Sequence, residues 1–158
     1  MGSEMCIRDR IKNRMKTQTI GYDKINQLRH AKFLKNMDGV GAHMKKHAAI
    51  IAPKFDVVLK AFNTELGGKG IAEWTNPNGG YFISLNVLNG CAKRTVELCK
   101  EAGVVLTPAG ATYPYGKDPD DSNIRIAPTF PPVEELELAV DLLCTSVQLA
   151  AAEKLLAE

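Results

Sequence analysis

The stretch Thr107–Pro132, TPAGATYPYGKDPDDSNIRIAPTFPP, contains the segment Asn-Ile-Arg-Ile, in which one arginine stands between two isoleucines. Side chains alternate along a strand with a period of two, so Ile124 and Ile126 point to one face and Arg125 to the other. A guanidinium on a rigid strand suits bidentate binding of a carboxylate or phosphate. The pattern predicts an anion site at Arg125, and the alternative is a surface salt bridge, because exposed charges near sheet edges are common.

Upstream of this stretch, the composition favours helices. A first helical region is expected from Ile11 to about Asn36, with a break at Thr19–Gly21, where a β-branched residue and a glycine weaken it. Asp38 could cap a second helix, Pro53 should kink it or begin its second half, and Gly67–Gly68 should end it. The apolar side of that helix is expected to consist of Met44, His47, Ile51, Val58, Leu59 and Phe62.

Nearer to Arg125, the pattern is typical of short strands alternating with helices. Tyr81–Val87 should be extended, Ala92–Ala102 helical, Val104–Leu106 extended, and Asn123–Ala127 a further strand. A last helix should follow Pro131–Pro132 and cover one face of the sheet with a stripe of residues at helical spacing. That stripe comprises Val133, Leu136, Val140, Leu143, Val147 and Ala150. These elements predict an α+β domain with a short sheet flanked by helices.

The order TPAGATYPYG, NIRIAP and a long terminal helix resembles the end of fold-type I, class I aminotransferases. Two upstream runs, YDKINQLRHAKFLKNMDGVGAHMKKHAAIIAPKFDVVLKAF and WTNPNGGYFISLNV, resemble the same region of the aspartate aminotransferase subgroup Ic, also called MocR-like. The resemblance covers about Ile11 to the C-terminus. It implies that residues 37–158 form the small C-terminal domain of such an enzyme, and that residues 11–36 form a long helix linking it to a large domain.

The first ten residues, MGSEMCIRDR, resemble translated sequencing-adapter sequence. We therefore expect residues 1–10 to lie outside the natural fold. The alternative is a genuine charged helix start, since the charged residues of this segment would be tolerated there. Either way, the sequence is interpreted as a C-terminal fragment of the family.

The resemblance implies pyridoxal 5'-phosphate, held as a Schiff base to a lysine that normally follows a serine or threonine. None of the lysines in this chain follows such a residue. We therefore identify no catalytic and no cofactor-binding residue in this chain, and we expect the fragment alone to be inactive. We also predict no metal ligand, for the reasons given below.

The resemblance also implies roles for individual residues. Arg125 matches the arginine that binds the substrate α-carboxylate, and Gly80 and Tyr81 belong to a strand start, Gly-Gly-Tyr-Phe, that borders the substrate pocket. Gly110 and Tyr113 match the glycine and aromatic residue of the Pro-Gly-x-x-Phe pattern, although an alanine intervenes after the proline and tyrosine replaces phenylalanine. For both tyrosines, the alternative is an aromatic ring packed at a strand end.

By the same resemblance, the intact enzyme would be a homodimer that transfers an amino group between aspartate, or a similar amino acid, and 2-oxoglutarate. Cofactor chemistry would move the amino group while protein groups orient the substrate. Two other functions remain open: a carboxylate-binding domain without cofactor, and an interaction module that uses the basic helix Ile11–Lys35.

Charge and hydropathy narrow the possible partners. Twenty basic and 18 acidic residues give a net charge of +2. This charge is too small to indicate binding to nucleic acid or to an anionic membrane. No apolar run approaches the roughly 20 residues that span a bilayer, and no secretory signal is visible. The four cysteines lack the close pairing of a zinc site and are too few for a disulfide framework in a chain of this length, so we expect a cytoplasmic protein.

Two clusters could in principle bind metal. His43 and His47 lie four residues apart on a predicted helix, but no third ligand of suitable spacing is evident, and packing at the helix face is the alternative. Asp118, Asp120 and Asp121 offer fewer oxygen ligands than a calcium loop needs, so a solvated turn is favoured.

Overall fold

In the computed structural model, the backbone is described for residues 2–19 and 21–157, and side chains are described from residue 7 onward within those ranges. The chain divides into two compact units, Met1–Lys46 and His47–Glu158. Met1 and the side chains of residues 2–6, including Cys6, lie outside the description. The origin of residues 1–10 and the proposed boundary after residue 36 stay predictions.

The N-terminal unit contains α1 (Gly2–Gln18), α2 (Lys24–Leu34) and the start of α3 (Met37–Glu65). The predicted break is present, because α1 ends at Gln18 and α2 begins at Lys24. The prediction that Asp38 caps the next helix is wrong. The Asn36 side-chain oxygen accepts the cap hydrogen bond from Gly39 N at 2.9 Å, and Asp38 lies in the first turn, where its charge suits the helix dipole.

The third helix contains Pro53 and continues to Glu65. Its predicted apolar side is correct only in the C-terminal half, where Val58 and Phe62 are fully buried. Met44 is 65% exposed; His47 is also exposed. Spacing alone could not show that the core begins at Phe55, because apolar residues keep a helical period on both sides of that point.

The C-terminal unit has a three-stranded antiparallel sheet in the order β1-β2-β3. Its strands and remaining helices are β1 (Ala72–Trp74), β2 (Ile83–Val87), α4 (Ala92–Glu101), a 3₁₀ turn (Pro114–Gly116), β3 (Asn123–Ile126) and α5 (Val133–Ala157).

The expected strand at Val104–Leu106 is absent from this sheet. Val104 N donates to Cys99 O at 2.8 Å, which closes the end of α4, and Val105 is 83% exposed. The segment is rich in β-branched residues but has no strand beside it, and such residues favour a strand only where the pleated surface is packed. In its place, the three residues of β1 complete the sheet.

One face of the sheet lies on the core. Buried residues of β2 and β3 share a cluster with α3 and α5, and the ring centroids of Phe62 and Trp74 are 5.5 Å apart. The predicted stripe on α5 is confirmed, with Val133 half-buried and the other members buried. In the described part of the chain, no helix is both long enough and apolar enough to cross a membrane.

Candidate functional site

The face of the sheet that points away from the core is polar. Strand pairing places Ser84 opposite Arg125, and Asn86 opposite both Asn123 and Glu73. Residues paired directly in an antiparallel sheet share a face, and the isoleucines on either side of Arg125 are buried on the other one. The alternation predicted from Asn-Ile-Arg-Ile is therefore confirmed.

Arg125 is half-buried on this polar face, and its Nε is a buried atom without a hydrogen-bond partner. Among the residues that the structure describes, no carboxylate lies within 4.0 Å of its guanidinium. Arg94 differs, since it donates to both carboxylate oxygens of Glu153 at 2.7 and 2.9 Å. The described residues thus offer Arg125 no salt-bridge partner of the kind that Arg94 has, and the role of Arg125 as an anion site stays a prediction.

An aromatic ring lies against the same guanidinium. The Arg125 Cζ is 4.6 Å from the ring centroid of Phe82, within the range of a cation–π contact. Phe82 is 48% exposed and Tyr81 56% exposed, so neither ring is buried in this chain. Gly80 precedes them with φ +93°, a left-handed conformation that favours glycine.

Asn123 connects the polar face to the loop before β3. Its amide nitrogen donates to Ser84 Oγ at 2.8 Å and to Asn86 Oδ1 at 2.6 Å, while its Oδ1 accepts from Thr112 Oγ1 at 2.6 Å. Asn123 is only 7% exposed, and all these side-chain hydrogen bonds join segments distant in sequence. Sequence reasoning missed this residue, although its position two residues before Arg125 already placed it on the same face.

The loop between Gly110 and Asp118 is held by close backbone contacts. Gly110 has φ +79°, and a Cβ at this position would lie 2.7 Å from Gly116 O. Only glycine fits such a site without displacing backbone. Tyr113 follows in this loop and is 38% exposed.

Tyr113 lines a surface depression of about 640 Å³, together with Glu73 and Asn86. Arg125 is not among the lining residues. Gly80 and Tyr81 directly precede Phe82, the residue that contacts Arg125, whereas Tyr113 lies beside the depression further along the same polar face. The predicted substrate contact of Tyr113 stays a prediction.

The acidic loop is organised by a single carboxylate. Asp118 accepts hydrogen bonds from the backbone N–H groups of Asp120, Ser122 and Asn123 at 2.8 to 3.1 Å. Burial alone would raise the pKa of the Asp118 carboxyl, but these backbone hydrogen bonds outweigh it and lower the pKa. The loop thus fixes the entry into β3.

For the two candidate metal clusters, the structure shows other interactions. The rings of His43 and Phe33 meet edge to face with centroids 5.2 Å apart. Within residues 2–19 and 21–157, no group of three or more histidine, cysteine or acidic side chains is arranged to hold a metal ion.

The described cysteines are buried and form no disulfide. Burial raises the pKa of the Cys99 thiol, with a hydrogen bond to Ser146 opposing the shift, and burial raises that of Cys144 to about 12. Both thiols are therefore protonated near neutral pH, and a protonated thiol is a poor nucleophile.

Comparison with known proteins places this geometry in a family. The sequence model described as "Aspartate amino-transferase" matches residues 2–158. The aspartate aminotransferase of Corynebacterium glutamicum is 54% identical over 134 residues, which cover 85% of this chain and 31% of that protein.

Solved structures agree. The crystal structure of an aspartate transaminase from Corynebacterium glutamicum superposes with a TM-score of 0.85 and 50% identity, covering 93% of this chain and 35% of that one. An α-aminoadipate aminotransferase from Thermus thermophilus, complexed with N-(5'-phosphopyridoxyl)-L-leucine, shares the fold at 20% identity and a TM-score of 0.64, over 80% of this chain and 31% of its own. The chain spans about a third of the length of these relatives. By its sequence and its fold, the chain belongs to the aspartate aminotransferase family.

Proposed function

We propose that this chain supplies the substrate-carboxylate site of a pyridoxal phosphate-dependent aspartate aminotransferase of subgroup Ic, with Arg125 binding the substrate α-carboxylate. The main supporting observation is that Arg125 is half-buried and has no carboxylate partner among the described residues. Buried or half-buried arginines are usually paired, because a charge removed from water needs a counter-charge. A substrate carboxylate would provide it.

The geometry suits recognition and orientation. Hydrogen bonds to charged groups contribute about 1.5–3 kcal/mol each, and partial burial strengthens them by lowering the local dielectric. Arg125 lies in the middle of a hydrogen-bonded strand, so its Cα cannot shift without disturbing the pairing with Ser84. A carboxylate held by a fork on such a strand is fixed in both position and direction, which aligns the rest of the substrate.

The residues present do not build a site for the cofactor. Every lysine in the chain is exposed except Lys54 and Lys154, which are half-buried. The Nζ of Lys54 donates to Thr129 O at 2.7 Å, and that of Lys154 donates to Asn89 O at 2.6 Å. A Schiff-base lysine needs a pocket that lowers its pKa by burial. In the intact enzyme, pyridoxal phosphate would therefore be held by residues outside this chain.

The intact enzyme would use aspartate and 2-oxoglutarate, and it would act as a cytoplasmic homodimer. The name of the C. glutamicum relative supports the substrate assignment, since the sequences are 54% identical over the shared region. Both substrates carry the carboxylate that Arg125 would bind, so one site would serve both halves of the reaction.

The test uses the complete gene from the source DNA. The purified enzyme, loaded with cofactor, is assayed for aspartate:2-oxoglutarate transamination as wild type, Arg125→Lys and Arg125→Ala. We expect kcat/KM to fall at least about 30-fold in Arg125→Ala, from the loss of about 2 kcal/mol or more. Arg125→Lys should recover little, because it keeps the charge but loses the fork.

Arg94→Ala is the matched control. Arg94 is also a half-buried arginine, but its fork is bound to Glu153, so its loss should leave kcat/KM near wild type. Equal activity of the Arg125 and Arg94 variants would refute the assignment of Arg125. Binding of dicarboxylates by a complete protein without transaminase activity would instead favour the carboxylate-binding domain.

A further inference from the structure

We propose that Phe82 is a positioning residue for Arg125, holding the guanidinium in the orientation in which its terminal nitrogens meet the substrate carboxylate. This inference rests on the proposed role of Arg125. It adds a residue whose aromatic ring, rather than any hydrogen bond, would determine how tightly both substrates bind.

The register of the sheet explains why these two side chains meet. Ser84 is paired with Arg125, and Ile83 with Ile126. Because Ile83 is buried on the core face, Phe82 continues the polar face two residues before Ser84. A position two residues from the direct partner is a diagonal neighbour, within reach of aromatic and long side chains.

The contact restricts the guanidinium on two sides. The Phe82 ring lies against the guanidinium, with 4.6 Å between the ring centroid and the Arg125 Cζ. The Nε edge is closed as well, since Nε is buried. A carboxylate is therefore directed to the end of the guanidinium that carries the two Nη atoms, where a bidentate pair of hydrogen bonds can form in the plane of the group.

The other side chains on this face do not orient the Arg125 guanidinium. Ser84 and Asn86 on the same face are engaged by the amide of Asn123, and neither is hydrogen-bonded to Arg125. A half-exposed phenylalanine on a polar sheet face gains little from its own burial. The contact of Phe82 with the guanidinium explains its position, because the quadrupole of the ring attracts the cation and limits the rotamers of the long arginine side chain.

Pre-organisation of this kind affects binding more than chemistry. An arginine already held in its bound orientation loses less conformational freedom when a ligand arrives. The carboxylate is common to the amino acid and the oxo acid, so loss of the ring should weaken both to a similar extent. The rate of the chemical step that follows binding, measured as kcat, should stay the same.

The experiment compares Phe82→Leu, which removes the ring but keeps apolar volume, with Phe82→Tyr, which keeps the ring. Phe130→Leu is the control, because it makes the same substitution at a phenylalanine that is 97% exposed. In the intact holoenzyme, we expect Phe82→Leu to raise KM for aspartate and for 2-oxoglutarate by about 2- to 30-fold, with kcat within about twofold of wild type. Phe82→Tyr and Phe130→Leu should stay close to wild type.

A second readout is independent of turnover. The dissociation constant of succinate, a dicarboxylate without an amino group, is measured by isothermal titration calorimetry on the same variants. It should rise in Phe82→Leu by the same factor as KM, and Phe82→Tyr should restore it. Thermal unfolding of each variant shows whether the fold is retained.

The outcomes separate the two proposals. If Arg125→Lys binds succinate as wild type does, the proposed role of Arg125 fails. If Arg125→Lys weakens binding but Phe82→Leu does not, or if Phe82→Tyr fails to restore it, the role of Phe82 alone is overturned. A Phe82→Leu variant that loses kcat and thermal stability together, with an unchanged succinate constant, would likewise overturn it by showing a structural role.

Discussion

Replacing Asn123 with alanine should destabilise the domain by about 1.5–3 kcal/mol. The side chain makes hydrogen bonds to Thr112, Ser84 and Asn86 at 2.6 to 2.8 Å and is 7% exposed. Each such bond contributes about 1 kcal/mol net, which sets an upper value of about 3 kcal/mol. The value is reduced because Asn86 is exposed and can bind water once its partner is removed.

Urea unfolding followed by circular dichroism measures this loss as a shift of the midpoint at constant slope. Asn86→Ala is the matched control, because it removes one hydrogen bond from an exposed asparagine and should cost about 0.5–1 kcal/mol. If Asn123→Ala costs no more than Asn86→Ala, then the polar network does not hold the Thr112 loop to the sheet and the reasoning is refuted.

Two further predictions concern the same loop. Gly110→Ala should destabilise the fold by at least about 2 kcal/mol, because a Cβ at this position would lie 2.7 Å from Gly116 O and the backbone has φ +79°. Gly79→Ala is the control and should be near neutral, because its Cβ would meet nothing within 4 Å. Thermal unfolding of both variants is the measurement, and equal midpoints would contradict the prediction. Because the pKa of Asp118 is lowered in the folded state, its ionised carboxylate should stabilise the fold above the unfolded pKa of about 4. This stabilisation should be lost as the pH falls through the lower pKa of the folded state. Urea unfolding measured from pH 7 to about pH 2 should therefore show that Asp118→Asn loses less stability at acid pH than the wild type does. An equal loss of stability in both proteins would argue against this role.

Local patterns in the sequence predicted the local features of the fold. The alternation in Asn-Ile-Arg-Ile correctly placed Arg125 opposite two buried isoleucines, since a period of two needs only neighbouring residues. The stripe on α5 was correct for the same reason, because it repeats over several turns.

Features that depend on pairing across the chain could not be obtained in this way. Val104–Leu106 has the composition of a strand, but it lies outside the sheet, and the three residues of β1 are too few to give a periodic signal. The contact of Phe82 with Arg125 joins residues more than 40 positions apart and depends on the β2-β3 register. Asn123 was missed although the sequence placed it in a strand, because its partners Ser84 and Asn86 lie 39 and 37 positions away and become neighbours only through the β2-β3 register.

The strand that carries Arg125 lies at an edge of the sheet, and such edges can recruit strands from other molecules. Val87 N donates to Ser122 O, so the next backbone carbonyl, that of Asn123, faces the outer edge, where Gly110 N reaches it at 3.5 Å. Pro128 follows two residues after the strand ends and brings no N–H donor. The stretch of edge open to a foreign strand is thereby limited to about the length of Arg125 and its neighbours, and short edges of this kind are one way in which proteins limit strand-to-strand association.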